Sequence, residues 1–180
     1  MSISKRLRSK AKNTSDPYKK RTFRGVTLEN RTISALRWAE KNYLAVAPKK
    51  RSPWRLGQGS FSQVTLSAGT HSKGGTLDIM FAGLNAKQRK ATVKWLRKAG
   101  FAAWAREGNA WGANGSNDHC HAVLLGHRTL SVEAMKQTDS YLAHRDGLAG
   151  NNYDKTWRPK PKPPFWSHKQ NRPIKNHKRW

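Results

Sequence analysis

His71 and Asp78 stand seven residues apart in the stretch Ser67-Ala-Gly-Thr-His-Ser-Lys-Gly-Gly-Thr-Leu-Asp78, and Asp118-His-Cys-His121 follows about forty residues on. Imidazoles and carboxylates hold zinc, and a catalytic zinc site uses three such ligands and leaves a fourth position for water. His71, Asp78 and His121 supply two imidazoles and one carboxylate for a Zn²⁺ ion. Asp118 adds a second carboxylate, able to take the proton of an attacking water and pass it to a leaving amine. His119 would stabilise an oxyanion or bind substrate. The chain has only 10 Asp and Glu in all, so two of them at these positions weigh against coincidence. Taken singly, each has a plainer role: a strand-end acceptor for Asp78, a packed or surface ring for His119.

The elements that must position these groups follow from the pattern. Thr76 to Phe81 reads as a strand entered through a Gly74-Gly75 turn, whose φ-permissive residues let His71 and Asp78 face one point. His119 to Leu125 reads as a second strand, able to lie beside the first. Alternation puts His119 and His121 on one face and Cys120 on the other. Cys120 is the only cysteine, so no intrachain disulfide forms, and it reads as a small buried residue. Strict alternation opposes Asp118 to His121; the loop Gly108 to Asn117 is expected to turn the carboxylate back. Asn30 to Leu44 reads as a helix with Ile33, Leu36, Tyr43 and Leu44 on one face, interrupted by Glu40. A second helix starts at Asn85, with Gln88 in capping-box spacing, and stops at Gly100. Phe101 to Arg106 is a strand, and Ser131 opens a last helix through Val132, Met135 and Leu142 towards Gly147. A short strand is expected around Val64 to Ser67. His127, His144, His168 and His177 are expected at the surface. The fold class is α+β, a small antiparallel sheet packed with about three helices.

The 180 residues carry a net charge of +26, unevenly placed. Residues 1–24 hold nine Lys and Arg against Asp16, and residues 155–180 hold nine with no acid. This divides the chain into a basic arm at 1–22, a domain at 23–154 and a Pro/Trp-rich tail at 155–180. Lys5, Arg6, Arg8, Lys160, Lys162, Lys178 and Arg179 are candidates for a polyanionic partner, teichoic acid or nucleic acid. Trp157, Trp166 and Trp180 are interleaved with those charges, as base stacking would need. No apolar run is long enough for a membrane span, and the charged N-terminus lacks the apolar stretch of a secretory signal.

The motif Ser67-Ala-Gly-Thr-His71-x-x-Gly74-Gly-x-x-Asp78, with Asp118-x-x-His121, resembles the two zinc motifs of the D-Ala-D-Ala carboxypeptidase, hedgehog-like zinc peptidase family. Gln58-Gly-Ser-Phe61, Gly100-Phe-Ala-Ala-Trp104 and Gly147-Leu-Ala-Gly150 are similar to flanks of its actinobacteriophage endolysin members. The resemblance covers roughly residues 23 to 159. It implies a hedgehog-like fold, zinc on His71, Asp78 and His121, and Asp118 as catalytic base. The implied activity is hydrolysis of amide bonds in peptidoglycan, for lysis or penetration of the cell wall, after synthesis in a host cytoplasm or as part of a virion. Thr76 stands where the family often has Ala. Gln58, with Arg55 nearby, stands where many members carry an Arg that grips the substrate carboxylate. The other reading is a non-catalytic virion protein with a lysin-like fold, contacts to other virion proteins and nucleic-acid-binding tails.

Overall fold

A computed structural model describes residues 16–46, 52–63, 68–159, 165–167 and 172–174. The basic candidates Lys5, Arg6, Arg8, Lys160, Lys162, Lys178 and Arg179 lie outside the described residues, as do His168, His177, Trp180 and the strand expected at 64–67. Among the described residues no helix is long and apolar enough to cross a membrane.

The first elements are β1 (Lys20–Phe23) and β2 (Val26–Glu29), an antiparallel hairpin. Its two-residue turn, Arg24 and Gly25, has positive φ at both positions, which matches the twist of paired strands. Residues 20–22, expected in a flexible arm, are therefore strand. The chain passes directly into α1 (Asn30–Val46). Its Ile33, Leu36, Ala39 and Tyr43 are buried. Glu40, the interruption of that apolar face, is also buried and takes both guanidinium nitrogens of Arg24, at 2.7 and 2.9 Å.

The main sheet contains β3 (Arg55–Leu56), β4 (Thr76–Met80), β5 (Phe101–Arg106) and β6 (His119–Leu124), in spatial order β3-β4-β6-β5. Every neighbouring pair is antiparallel. Between β4 and β5 runs α2 (Ala86–Lys98). β4 and β5 thus point the same way, but β6 sits between them. The start of α2 carries the expected capping box: the Asn85 side chain accepts from Gln88 N, and Gln88 Oε1 accepts from Asn85 N, both at 2.9 Å. Such a cap contributes about 1 kcal/mol.

The sheet divides two cores. Leu77, Ile79, Phe101, Ala103, Cys120, Ala122 and Leu124 face α1 and α2. Ala102, Trp104, Val123 and Leu125 face the other way, onto α3 (Val132–Leu142), whose Ala134 and Tyr141 are buried. Covering both faces of β6 explains its apolar run. The helix α3 is turned from the expected orientation: Val132, Met135 and Leu142 are 56, 45 and 44% exposed. Ala134, Gln137 and Tyr141 point inward or partly so, at one-face spacing. Cys120 is wholly buried on the α1–α2 face, away from both imidazoles, and burial pushes its thiol far up.

The domain also extends past residue 154. Buried Arg97 donates to Ala103 O (2.8 Å), Thr156 O (3.0 Å), Trp157 O (2.7 Å) and Asp154 Oδ2 (2.7 Å). Residues 155–158 are thereby docked rather than extended. Beyond them, β7 (Phe165–Ser167) and β8 (Arg172–Ile174) form a second hairpin in the segment expected to lack regular structure.

Candidate metal centre

Register alone brings two candidates together. Asp78 pairs with His121, which pairs on its other side with Trp104. One row along, Met80, His119 and Arg106 are aligned in the same way. Residues opposite each other in a ladder share a face, so this face carries Asp78, His121, His119, Trp104 and Arg106.

His71 arrives from the loop before β4. Backbone bonds from Ser62 N to His71 O (2.9 Å), Phe61 N to Lys73 O (3.2 Å) and Gly74 N to Thr129 O (2.9 Å) hold that loop. Gly75 has φ +80°, and a Cβ at Gly74 would collide with the Glu29 carboxylate and the Thr129 hydroxyl. The glycine pair is required, as expected, though the close approach it permits is to Glu29 and Thr129.

His71, Asp78 and His121 are 1, 8 and 6% exposed. One ligand atom from each lies within 4.8 Å of the others. His71 Nε2 is 3.3 Å from His121 Nδ1 and 3.3 Å from Asp78 Oδ2; His121 Nδ1 is 2.9 Å from Asp78 Oδ1. Ligands at ~2.0–2.1 Å from a tetrahedral zinc stand about 3.3–3.4 Å apart. The imidazole–imidazole edge matches; the two imidazole–carboxylate contacts, 3.3 and 2.9 Å, go to different oxygens of Asp78.

The outer nitrogen of each ring is taken. His71 Nδ1–H donates to Gly59 O at 2.9 Å. His121 Nε2–H donates to Gln137 Oε1 at 2.8 Å, and Gln137 Nε2 donates to Gly147 O at 3.3 Å, which orients the amide. These bonds select the tautomers in which both inner nitrogens present a lone pair to Asp78, the pattern of metal-binding imidazoles. Burial alone would raise the Asp78 carboxyl; once the rings take up protons in acid, hydrogen bonds from His121 and His71 outweigh it and hold the group well below the usual carboxylate range. Burial pulls His121 below its ordinary value, against the pull of Asp78. A buried anion beside a ring that resists protonation is a site for a cation. The residues therefore fit a divalent metal with a nitrogen, nitrogen and oxygen donor set.

The cluster opens onto a cavity of about 760 Å³. Gln58 lines it and donates to Ser62 Oγ at 2.9 Å. His119 also lines it: its Nδ1–H donates to Asn117 O at 2.7 Å, leaving Nε2 4.0 Å from Asp78 Oδ1, and its ring meets Trp111 edge-on at 5.2 Å. Arg55 does not reach the site; it is exposed on β3 and absent from the cavity lining.

Asp118 is a correction. The loop does not turn its carboxylate to the cluster. Oδ2 accepts from Arg89 Nη1 and Oδ1 from Gly108 N, both at 2.9 Å. It braces α2 and the β5–β6 loop and does not line the cavity. Alternation along β6 prevails over loop freedom. His127 is a second correction: it is 4% exposed, with Nε2 2.9 Å from Glu29 Oε2. His144 is exposed as expected.

Two cavity residues escaped the sequence reading. Arg106 is 4% exposed, desolvated so that its pKa falls, and donates to Asp146 O at 2.8 Å. Its place at the end of a strand aligned with His119 was the available signal. Gln137 had none beyond its spacing from Ala134 and Tyr141. No protein-family model, curated protein or solved structure matches this chain.

Proposed function

We propose that this chain is a zinc-dependent peptidase that hydrolyses amide bonds in the peptide part of peptidoglycan, the class its two motifs resemble. The observation that carries the reading is the convergence of two bare imidazole nitrogens and a buried carboxylate, with contacts of 2.9 to 3.3 Å between them, beside a cavity. Zinc held by His71, Asp78 and His121 would polarise an amide carbonyl and make water a nucleophile near neutral pH.

The remaining roles fall to residues facing the cavity. His119 Nε2 is directed into it with its tautomer set by Asn117 O, so His119 takes the water proton and returns it to the leaving amine. Asp118, with both oxygens engaged, keeps a bracing role. Arg106 is a desolvated guanidinium lining the cavity, held by Asp146 O and stacked by Trp104 and Trp111, and its charge is what a peptide carboxylate would pair with. The carboxylate grip would then sit on β5 instead of at Gln58 or Arg55.

The test is digestion of purified peptidoglycan, with the new amino and carboxyl termini read by mass spectrometry. Cleavage should require metal and stop with a chelator. His119→Gln should lower the rate about 10²–10⁴-fold with zinc retained. Asp118→Asn should retain most of the rate and lose stability. No cleavage by the zinc-loaded chain would overturn the proposal. Full loss in a folded, zinc-loaded Asp118→Asn would return the base role to Asp118.

A further inference from the structure

Across the sheet from the histidine cluster, α2 carries Lys87, Arg89, Lys90 and Lys94 and contains no acid. Lys87, Lys90 and Lys94 share one helical face and span about 10 Å at ~1.5 Å per residue. That face walls a groove of about 770 Å³ whose lining includes apolar Ala91, Val93 and Ala105. The opposite wall is Lys155 to Trp157. Arg97 fixes this wall by its bonds to Thr156 O and Trp157 O. The Trp157 indole is 46% exposed, with Lys94 Nζ 5.6 Å from its ring centroid. Glu107 is the one acid in the lining, and it is paired at 2.8 Å with Arg89, which also holds Asp118 at 2.9 Å. Among the described residues, Lys87, Lys90, Lys94 and Lys155 form no ion pair with an acid.

We propose that this groove binds single-stranded nucleic acid, with phosphates along the α2 lysines and a base stacked on Trp157. A lysine row suits any polyanion. The exposed indole above an apolar floor adds a slot for a flat ring, which a glycerol-phosphate wall polymer lacks and a double helix keeps stacked inside itself. The groove has the size of a small-ligand site, enough for nucleotide units. Its position on the α1–α2 side of the sheet makes it independent of the histidine cluster.

The experiment measures binding of the full chain to a fluorescent oligothymidine of about 15 nucleotides by anisotropy across a salt series, with inorganic polyphosphate as a second probe. Trp157→Ala should weaken oligothymidine binding about tenfold, the scale of one lost base stack, with the polyphosphate affinity unchanged. Trp157→Tyr should restore most of it. Combined Lys87→Gln, Lys90→Gln and Lys94→Gln should lower the log–log salt slope by about 2, at ~0.7 per phosphate contact. A chelator should change nothing. All these side chains are exposed, so thermal melts of the variants should superimpose on that of the parent chain. If neither variant alters oligothymidine binding, the groove is not a nucleic-acid site and the idea falls. It also falls if the lysine variant weakens both probes equally and Trp157→Ala weakens neither, since the groove then reads charge alone, as a teichoic acid would require.

Discussion

The His127–Glu29 and His121–Asp78 pairs have the same N···O separation, 2.9 Å, and both are buried. Their surroundings differ. Around His127, Thr129 Oγ1 donates to Glu29 and lies 3.2 Å from His127 Nδ1, Thr32 Oγ1 is 3.4 Å from Nε2, and the Tyr18 ring closes the edge at 5.0 Å. Each acceptor there meets a donor, and neither His127 nor Glu29 lines the cavity. Around His121, a second imidazole adds a third lone pair to the same point, and one side opens onto 760 Å³ of space. A short, buried histidine–carboxylate contact therefore does not mark a reactive site by itself. An excess of acceptors over donors, next to a cavity, is what sets the second pair apart as a candidate.

Removing one partner from each pair should separate the two roles. Glu29→Ala leaves the buried His127 N–H without its acceptor and should cost about 1–3 kcal/mol in denaturant unfolding, with zinc stoichiometry intact. Asp78→Ala should abolish zinc binding and cost the metal-free chain less stability than Glu29→Ala does. A folded Glu29→Ala chain that no longer binds zinc would break the distinction.

A smaller effect is expected one step out from the cluster. Gln137→Ala frees His121 Nε2 and the tautomer choice with it, so zinc affinity should fall about 10–100-fold. Zinc competition against a chromophoric chelator would measure the change, and an unchanged affinity would remove Gln137 from the account.

The smallest effect concerns pH in the metal-free chain. Asp78 and His121 both have folded pKa values below their unfolded ones. The unfolded chain then binds more protons in acid, so stability from these groups is present above the unfolded values and lost as pH falls. The loss should begin near ~6.5 for His121 and near ~3.9 for Asp78. Melting temperature of the metal-free chain should fall through that window, and His121→Ala should flatten its upper part. A melting temperature that rises on acidification would contradict the assignment.

Much of this site was legible from period and punctuation. Asp78, His121 and Cys120 on the opposite, buried face follow from strand alternation, and the capping box at Asn85 from three-residue spacing. What failed was set by partners distant in sequence. Asp118 was expected at the cluster because its loop was free to turn, but Arg89 on α2 and the amide of Gly108 hold it elsewhere. His127 was expected at the surface because it follows Gly126 in a turn, but Glu29 on β2, distant in sequence, pairs with it in the interior. The boundary at residue 155 misplaced the docked segment, since its anchor, Arg97, belongs to another helix. Gln137 was hidden because the more apolar face of α3, with Val132 and Met135, is the exposed one.

The central claim is that His71, Asp78 and His121 hold one divalent ion. Isothermal titration of zinc into the metal-free full chain and its variants tests it most directly. One zinc per chain is expected, with affinity at least about 100-fold lower in His71→Ala, more than an outer partner would cost, and unaltered in Asp118→Asn. No saturable binding, or equal binding by the His71→Ala chain, would contradict the account.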